Sequence, residues 1–168
     1  MVTLAVLLAL AGCSADTEDV EENAPEDTVP PGETVELEGN NTTVAVTVTD
    51  YRLVESYETY NSTSDSNETH EAPGDKRYLF VKVRVENVGP ANGTEPTMAI
   101  EPKNSTDAGP GPVWIDDRYL GITALDPGEV HTGWRGVTVN GSVAASDVRI
   151  GFSTDLYVST DEFRWTLE

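Results

Sequence analysis

Cysteine is almost missing from this 168-residue chain: Cys13 stands alone, so no disulfide can form within it. Lysine is scarce, with only Lys76, Lys82 and Lys103, and histidine is limited to His70 and His131. Thirty acids face ten bases, a net charge of −20. Clustered cations that would release counterions from a phosphate backbone are therefore lacking, which argues against nucleic acid as a partner. No apolar run reaches the roughly 20 residues a membrane-spanning helix needs, and after Cys13 no stretch sustains helical spacing. Neither histidine has a recognisable partner motif, and Gly109-Pro110-Gly111-Pro112 is no phosphate cradle because proline removes the N–H groups that hold an anion. The expectation is a protein that is not an enzyme and carries no cofactor.

What is present begins with an abrupt switch. Val2 to Ala11 is apolar except for Thr3, about half the length of a membrane span, and fits the hydrophobic region of a signal peptide. Leu10-Ala11-Gly12-Cys13 resembles the lipobox of secreted lipoproteins, which implies that Cys13 is lipidated and becomes the mature N-terminus. Residues 14 to 32 then hold seven acids, no base and little apolar surface, the composition of a self-repelling spacer. The expected organisation is a signal peptide over 1–12, the lipidated cysteine and acidic spacer over 13–33, and one folded domain over 34–168. Without the spacer's acids the domain still carries 23 acids and ten bases, a charge of −13. Abundant Asp and Glu with few Lys resembles the composition of haloarchaeal proteins, and such a chain folds best where salt screens its self-repulsion.

Within the domain the recurrent signal is period two, the mark of strands with one buried face. Val44, Val46 and Val48 alternate with threonines, and Gly39-Asn40-Asn41 turns the chain back from Val35 and Leu37. In Tyr78–Asn87 the residues Leu79, Val81, Val83 and Val85 share one face while Phe80, Lys82, Arg84 and Glu86 share the other. Alternation recurs around Met98 and Ile100, over 113–120 and 130–139, and near Ile150 and Trp165. Seven or eight short strands without helical crossovers predict an all-β fold, an antiparallel β-sandwich.

The run "VAVTVTDYRL", a polar loop, "YLFVKVRVENVG" and "LDPGEVHTGW" resemble the telokin-like, immunoglobulin-fold domain of prokaryotic secreted lipoproteins, a family of unassigned activity. The specific pieces are Asn87 and Gly89 after the valine strand, and Leu125, Pro127, Gly128, Glu129 and Gly133 in the second motif. The resemblance implies the fold and lends no catalytic residues.

Three sets of residues remain as candidates. Lys82, Arg84, Arg149 and Arg164 take the outward parity of their strands and, with Phe80, predict a cationic and partly aromatic ligand face if those strands share a sheet; cross-strand ion pairs with Glu86 and Glu162 are the plainer reading. Seven of the nine asparagines head an N-x-S/T sequon, namely Asn40, Asn41, Asn61, Asn67, Asn92, Asn104 and Asn140. Ser and Thr supply only 30 of 168 residues, so chance gives fewer than about two sequons, and the excess points to glycosylation of an exported protein in turns and loops. For metals, His131 with Met98 and His70 could hold copper and the acidic pairs Asp116-Asp117 and Asp161-Glu162 near Asp155 could hold calcium, but no ligand spacing supports a site. Together these features predict a lipid-anchored domain on the outer face of the cytoplasmic membrane that binds an extracellular protein, glycan or solute. Metal handling is the alternative.

Overall fold

The computed structural model describes residues 28–39, 42–102, 123–155 and 162–167. Eleven strands occur among them: β1 Thr34–Glu38, β2 Thr43–Val54, β3 Ser56–Asn61, β4 Ser66–Glu71, β5 Lys76–Asn87, β6 Gly93–Thr94, β7 Thr97–Pro102, β8 Ala124–Leu125, β9 Val130–Asn140, β10 Val148–Ser153 and β11 Phe163–Thr166. They pair antiparallel as a four-stranded sheet, β1-β2-β5-β9, a three-stranded sheet, β11-β10-β7, and two small pairs, β3-β4 and β6-β8. Valines from β2 and β5 meet Ile150, Phe152, Trp165 and Leu167 from the other sheet in one core, so the fold is an antiparallel β-sandwich.

The expected parity of β5 holds: Leu79, Val81, Val83 and Val85 are sealed from solvent. The expected hairpin also forms, with β1 and β2 in register from Thr34↔Thr47 to Glu38↔Thr43. In β2 the register shifts between Val48 and Asp50. This bulge inserts one residue and reverses the parity beyond it, so Tyr51 and Leu53 now face the core and Asp50 and Arg52 face out.

Two expectations change. Residues 56–71, read as a polar loop, form the β3-β4 hairpin, in register from Ser56↔Glu71 to Asn61↔Ser66. Polar side chains hide this strand pair from a hydrophobic pattern, because β4 buries almost nothing. Part of the presumed spacer also lies against the sandwich: Val29 bridges Trp165, and its N–H donates to the Arg164 carbonyl at 2.6 Å. The strand expected over 113–120 lies outside the described residues, as do Cys13, the signal peptide expected over 1–12 and residues 14–27.

Asn87 joins the two motifs on which the family resemblance rests. It is fully buried. Its Nδ2 donates to the carbonyls of Ala91 (2.8 Å) and Leu125 (2.9 Å), while Oδ1 accepts from Thr42 Oγ1 (2.6 Å) and the Gly89 N–H (3.0 Å). Two donors and two acceptor positions are thus all in use. Gly89 packs so closely on the next strand that a Cβ there would lie 2.6 Å from the Thr43 nitrogen. Gly128, at φ +79°, lets the turn before β9 close, and its N–H donates to the Asn87 carbonyl at 2.8 Å.

Candidate functional site

The five residues expected to form one cationic face do not share a sheet. Lys82 and Arg84 lie on the outer side of the four-stranded sheet, whereas Arg149 belongs to β10 and Arg164 to β11. Phe80 has the outward parity but only 1% exposure. The β3-β4 hairpin folds back over it, with Tyr57 edge-on to Phe80 at 5.2 Å and to Tyr78 at 4.9 Å. Gly136 stands beside Phe80 in the register and puts no side chain next to it. Burial, with Tyr78 next, raises the Tyr57 hydroxyl above its ordinary pKa.

A smaller face replaces the expected one, and its aromatic member is Trp134. Asp50, Lys82 and Trp134 stand in one row across β2, β5 and β9, and Arg52 heads the next row. The Arg52 guanidinium lies 4.6 Å from the centre of the Trp134 ring, and Lys82 Nζ lies 5.8 Å from it. Both are cation–π distances. Arg52 reaches Asp50 only loosely, at 3.7 Å, with the two side chains 61% and 49% exposed. Arg84 is held more firmly, 2.6 Å from Glu86 on its own strand, so the expected pairing with Glu86 forms along β5 rather than across strands. Sequence reasoning missed Arg52 because the bulge decides its side. Trp134 was legible in the alternation of 130–139 but had no stated partner.

The histidines do not converge. His70 stands on β4, not in a loop, stacked on Tyr57 at 4.8 Å with Nε2 2.7 Å from Thr59 Oγ1. His131 faces the interior at the start of β9, opposite Val85. Its Nδ1 lies 2.5 Å from Glu95 Oε1 and its Nε2 lies 2.9 Å from Glu129 Oε1. Both carboxylates raise the affinity of the ring for a proton, Glu95 more than Glu129. Glu95 is itself raised, because burial outweighs its bond to His131. Glu129 is lowered, chiefly by the Asp126 N–H and then by His131. Among the described residues no group of three His, Cys, Asp or Glu side chains is arranged to hold a metal ion. Asp116, Asp117 and Asp161 lie outside them.

Of the sequon asparagines, Asn61 ends β3, Asn67 lies within β4, Asn140 ends β9 and Asn92 lies between β5 and β6. The expectation of turns and loops alone is therefore corrected: Asn61 and Asn140 are the last residues of strands, and Asn67 lies inside one, though exposed. Asn61 Oδ1 accepts from the Thr63 N–H, and Asn140 Oδ1 from the Ser142 N–H and hydroxyl. Asn92 Nδ2 donates to Asp126 Oδ1 at 2.9 Å. Asn92, Gly93 and Thr94 form one wall of a recess of about 250 Å³ to which Gly39, Thr42, Val44 and Thr154 also contribute, none of these described residues being charged. Asn40, Asn41 and Asn104 lie outside the described residues.

The fold and this surface define a β-sandwich protein with a cation-flanked tryptophan on the outer side of its larger sheet. The chain is similar to a crystal structure of an uncharacterized β-sandwich protein from Clostridium difficile 630, with a TM-score of 0.52 and 15% identity over 88% of this chain and 96% of that one. No protein-family model and no curated protein matches the chain.

Proposed function

We propose that this protein is a lipid-anchored extracellular domain that binds rather than catalyses, and that its ligand meets the Arg52–Trp134–Lys82 face. One observation carries the reading: two cations of a −20 chain converge on one indole ring on an outward sheet face. Two cations on one face of so acidic a chain, Arg52 only loosely paired with Asp50, suit an anionic group, and the indole between them suits the C–H face of a ring. An acidic sugar, presenting its carboxylate to Arg52 and Lys82, meets both requirements. The lipobox-like Leu10–Cys13 and the acidic residues after it support an anchor at Cys13 on the outer face of the cytoplasmic membrane. The seven sequons support a glycoprotein, and the excess of acids supports a halophilic one. The likeness to telokin-like, immunoglobulin-fold domains of secreted lipoproteins rests on Asn87, Gly89 and the Leu125–Gly133 motif. A metal-handling role has weaker support, since both His131 nitrogens already face carboxylates.

The test is retention of the purified protein, in concentrated salt, on immobilised polygalacturonate and on neutral dextran. Retention on the acidic polymer alone, lost in Trp134→Ala and reduced in Lys82→Ala, is the expected result. Equal retention of the variants, or none by the parent chain, overturns the ligand face. Cys13→Ser tests the anchor separately: the protein leaves the membrane fraction or stays an uncleaved precursor, and an unchanged membrane-bound mature form overturns the lipid reading.

A further inference from the structure

We propose that Glu95, His131 and Glu129 form a proton-dependent clasp that pins the Glu95 segment and the Asp126–Glu129 turn to the start of β9, and that loss of one proton releases it. A count of donors carries the argument. Both ring nitrogens stand at hydrogen-bond distance from a carboxylate oxygen, 2.5 Å at Glu95 and 2.9 Å at Glu129. Carboxylates only accept, so both bonds exist together when both nitrogens carry hydrogen, which is the imidazolium. A neutral ring keeps one bond and turns a lone pair on the other carboxylate.

The position of Glu95 makes that loss felt. It lies between β6 and β7 with 5% exposure, and its Oε2 is buried without a hydrogen-bond partner. Its ionised form depends on the positive charges near it, which are His131 and Arg135 of the same strand, and it is opposed by Glu129. The β5 residue paired with His131 is Val85, which offers no charge. On the other side Glu129 Oε2 accepts from the Asp126 N–H at 2.8 Å, and Asp126 in turn holds Asn92. The clasp therefore fixes both ends of the Asn92–Thr94 segment that walls the recess.

The direction follows from the ring. Its proton affinity is higher folded than unfolded, so the stabilisation is complete below the ordinary value of 6.5 and is lost as pH rises through the higher folded value. The experiment follows the His131 ring resonances by NMR against pH in concentrated salt, with exchange protection of the Glu95 and Gly128 amides, for the parent chain, His131→Gln and Glu129→Gln. Those amides bond the Thr123 and Asn87 carbonyls at 2.9 and 2.8 Å. As His131 loses its proton their protection falls about tenfold while β5 amides keep theirs. Glu129→Gln moves the His131 titration downward, and His131→Gln removes the pH dependence. Protection that ignores the titration of His131, or a pH-dependent loss that persists in His131→Gln, overturns the clasp.

Discussion

Asn87 is the residue on which most local order depends. Its amide satisfies the Ala91 and Leu125 carbonyls, and its own backbone exchanges bonds with Gly128 and Glu129, so one side chain fastens the end of β5 to the turn before β9. Asn87→Ala leaves the buried Leu125 carbonyl without its donor and opens a void, and should cost about 3 kcal/mol. A urea titration in high salt checks this, and Gly89→Ala should be destabilising for a different reason, its Cβ meeting Thr42 and Thr43. The importance of "N.G" and "PGE" as motifs was legible in the chain, but not that they touch. Segments 38 residues apart, Asn87 and Leu125, meet because β5 and β9 are sheet neighbours.

At the level of elements, β3-β4 is the part that pattern reading could not reach. Its strands carry Ser, Asn, Glu and Thr, and the hairpin is placed by one aromatic contact cluster rather than by a hydrophobic face. Tyr57 covers Phe80, and the Tyr78 hydroxyl donates to the Glu71 carbonyl at 3.0 Å across the fold-back. Tyr57→Ala should uncover Phe80, cost about 1–3 kcal/mol and raise amide exchange in 56–71 far more than in β5. Equal exchange in both would mean that the hairpin stands without this cover. The bulge at Val48/Asp50 acts at the same scale: by reversing parity it sends Arg52 to the outer face beside Lys82 and Trp134. Period two could be read on either side of it, but an inserted residue leaves no composition of its own.

For the whole molecule, charge sets the conditions under which the sandwich holds. A domain of −13 repels itself over about 10 Å in 0.1 M salt and over about 3 Å in 1 M, so the melting temperature should rise between those concentrations. An unchanged value would show that the carboxylates are too far apart to matter. Composition, the lone cysteine, the sequons and the class of fold follow from the sequence by itself, since they depend on residue type and on local alternation, and a valine at every second position needs a core on one side only. Tertiary structure alone decided which cations are neighbours. Lys82 and Arg149 have the same parity on strands of the same kind, yet β5 and β10 lie in different sheets, while Arg52 and Trp134, 82 positions apart in the chain, come within 4.6 Å. Parity tells a side chain in from out. Which strands lie side by side is set by long-range pairing and core packing, which no short window of sequence contains.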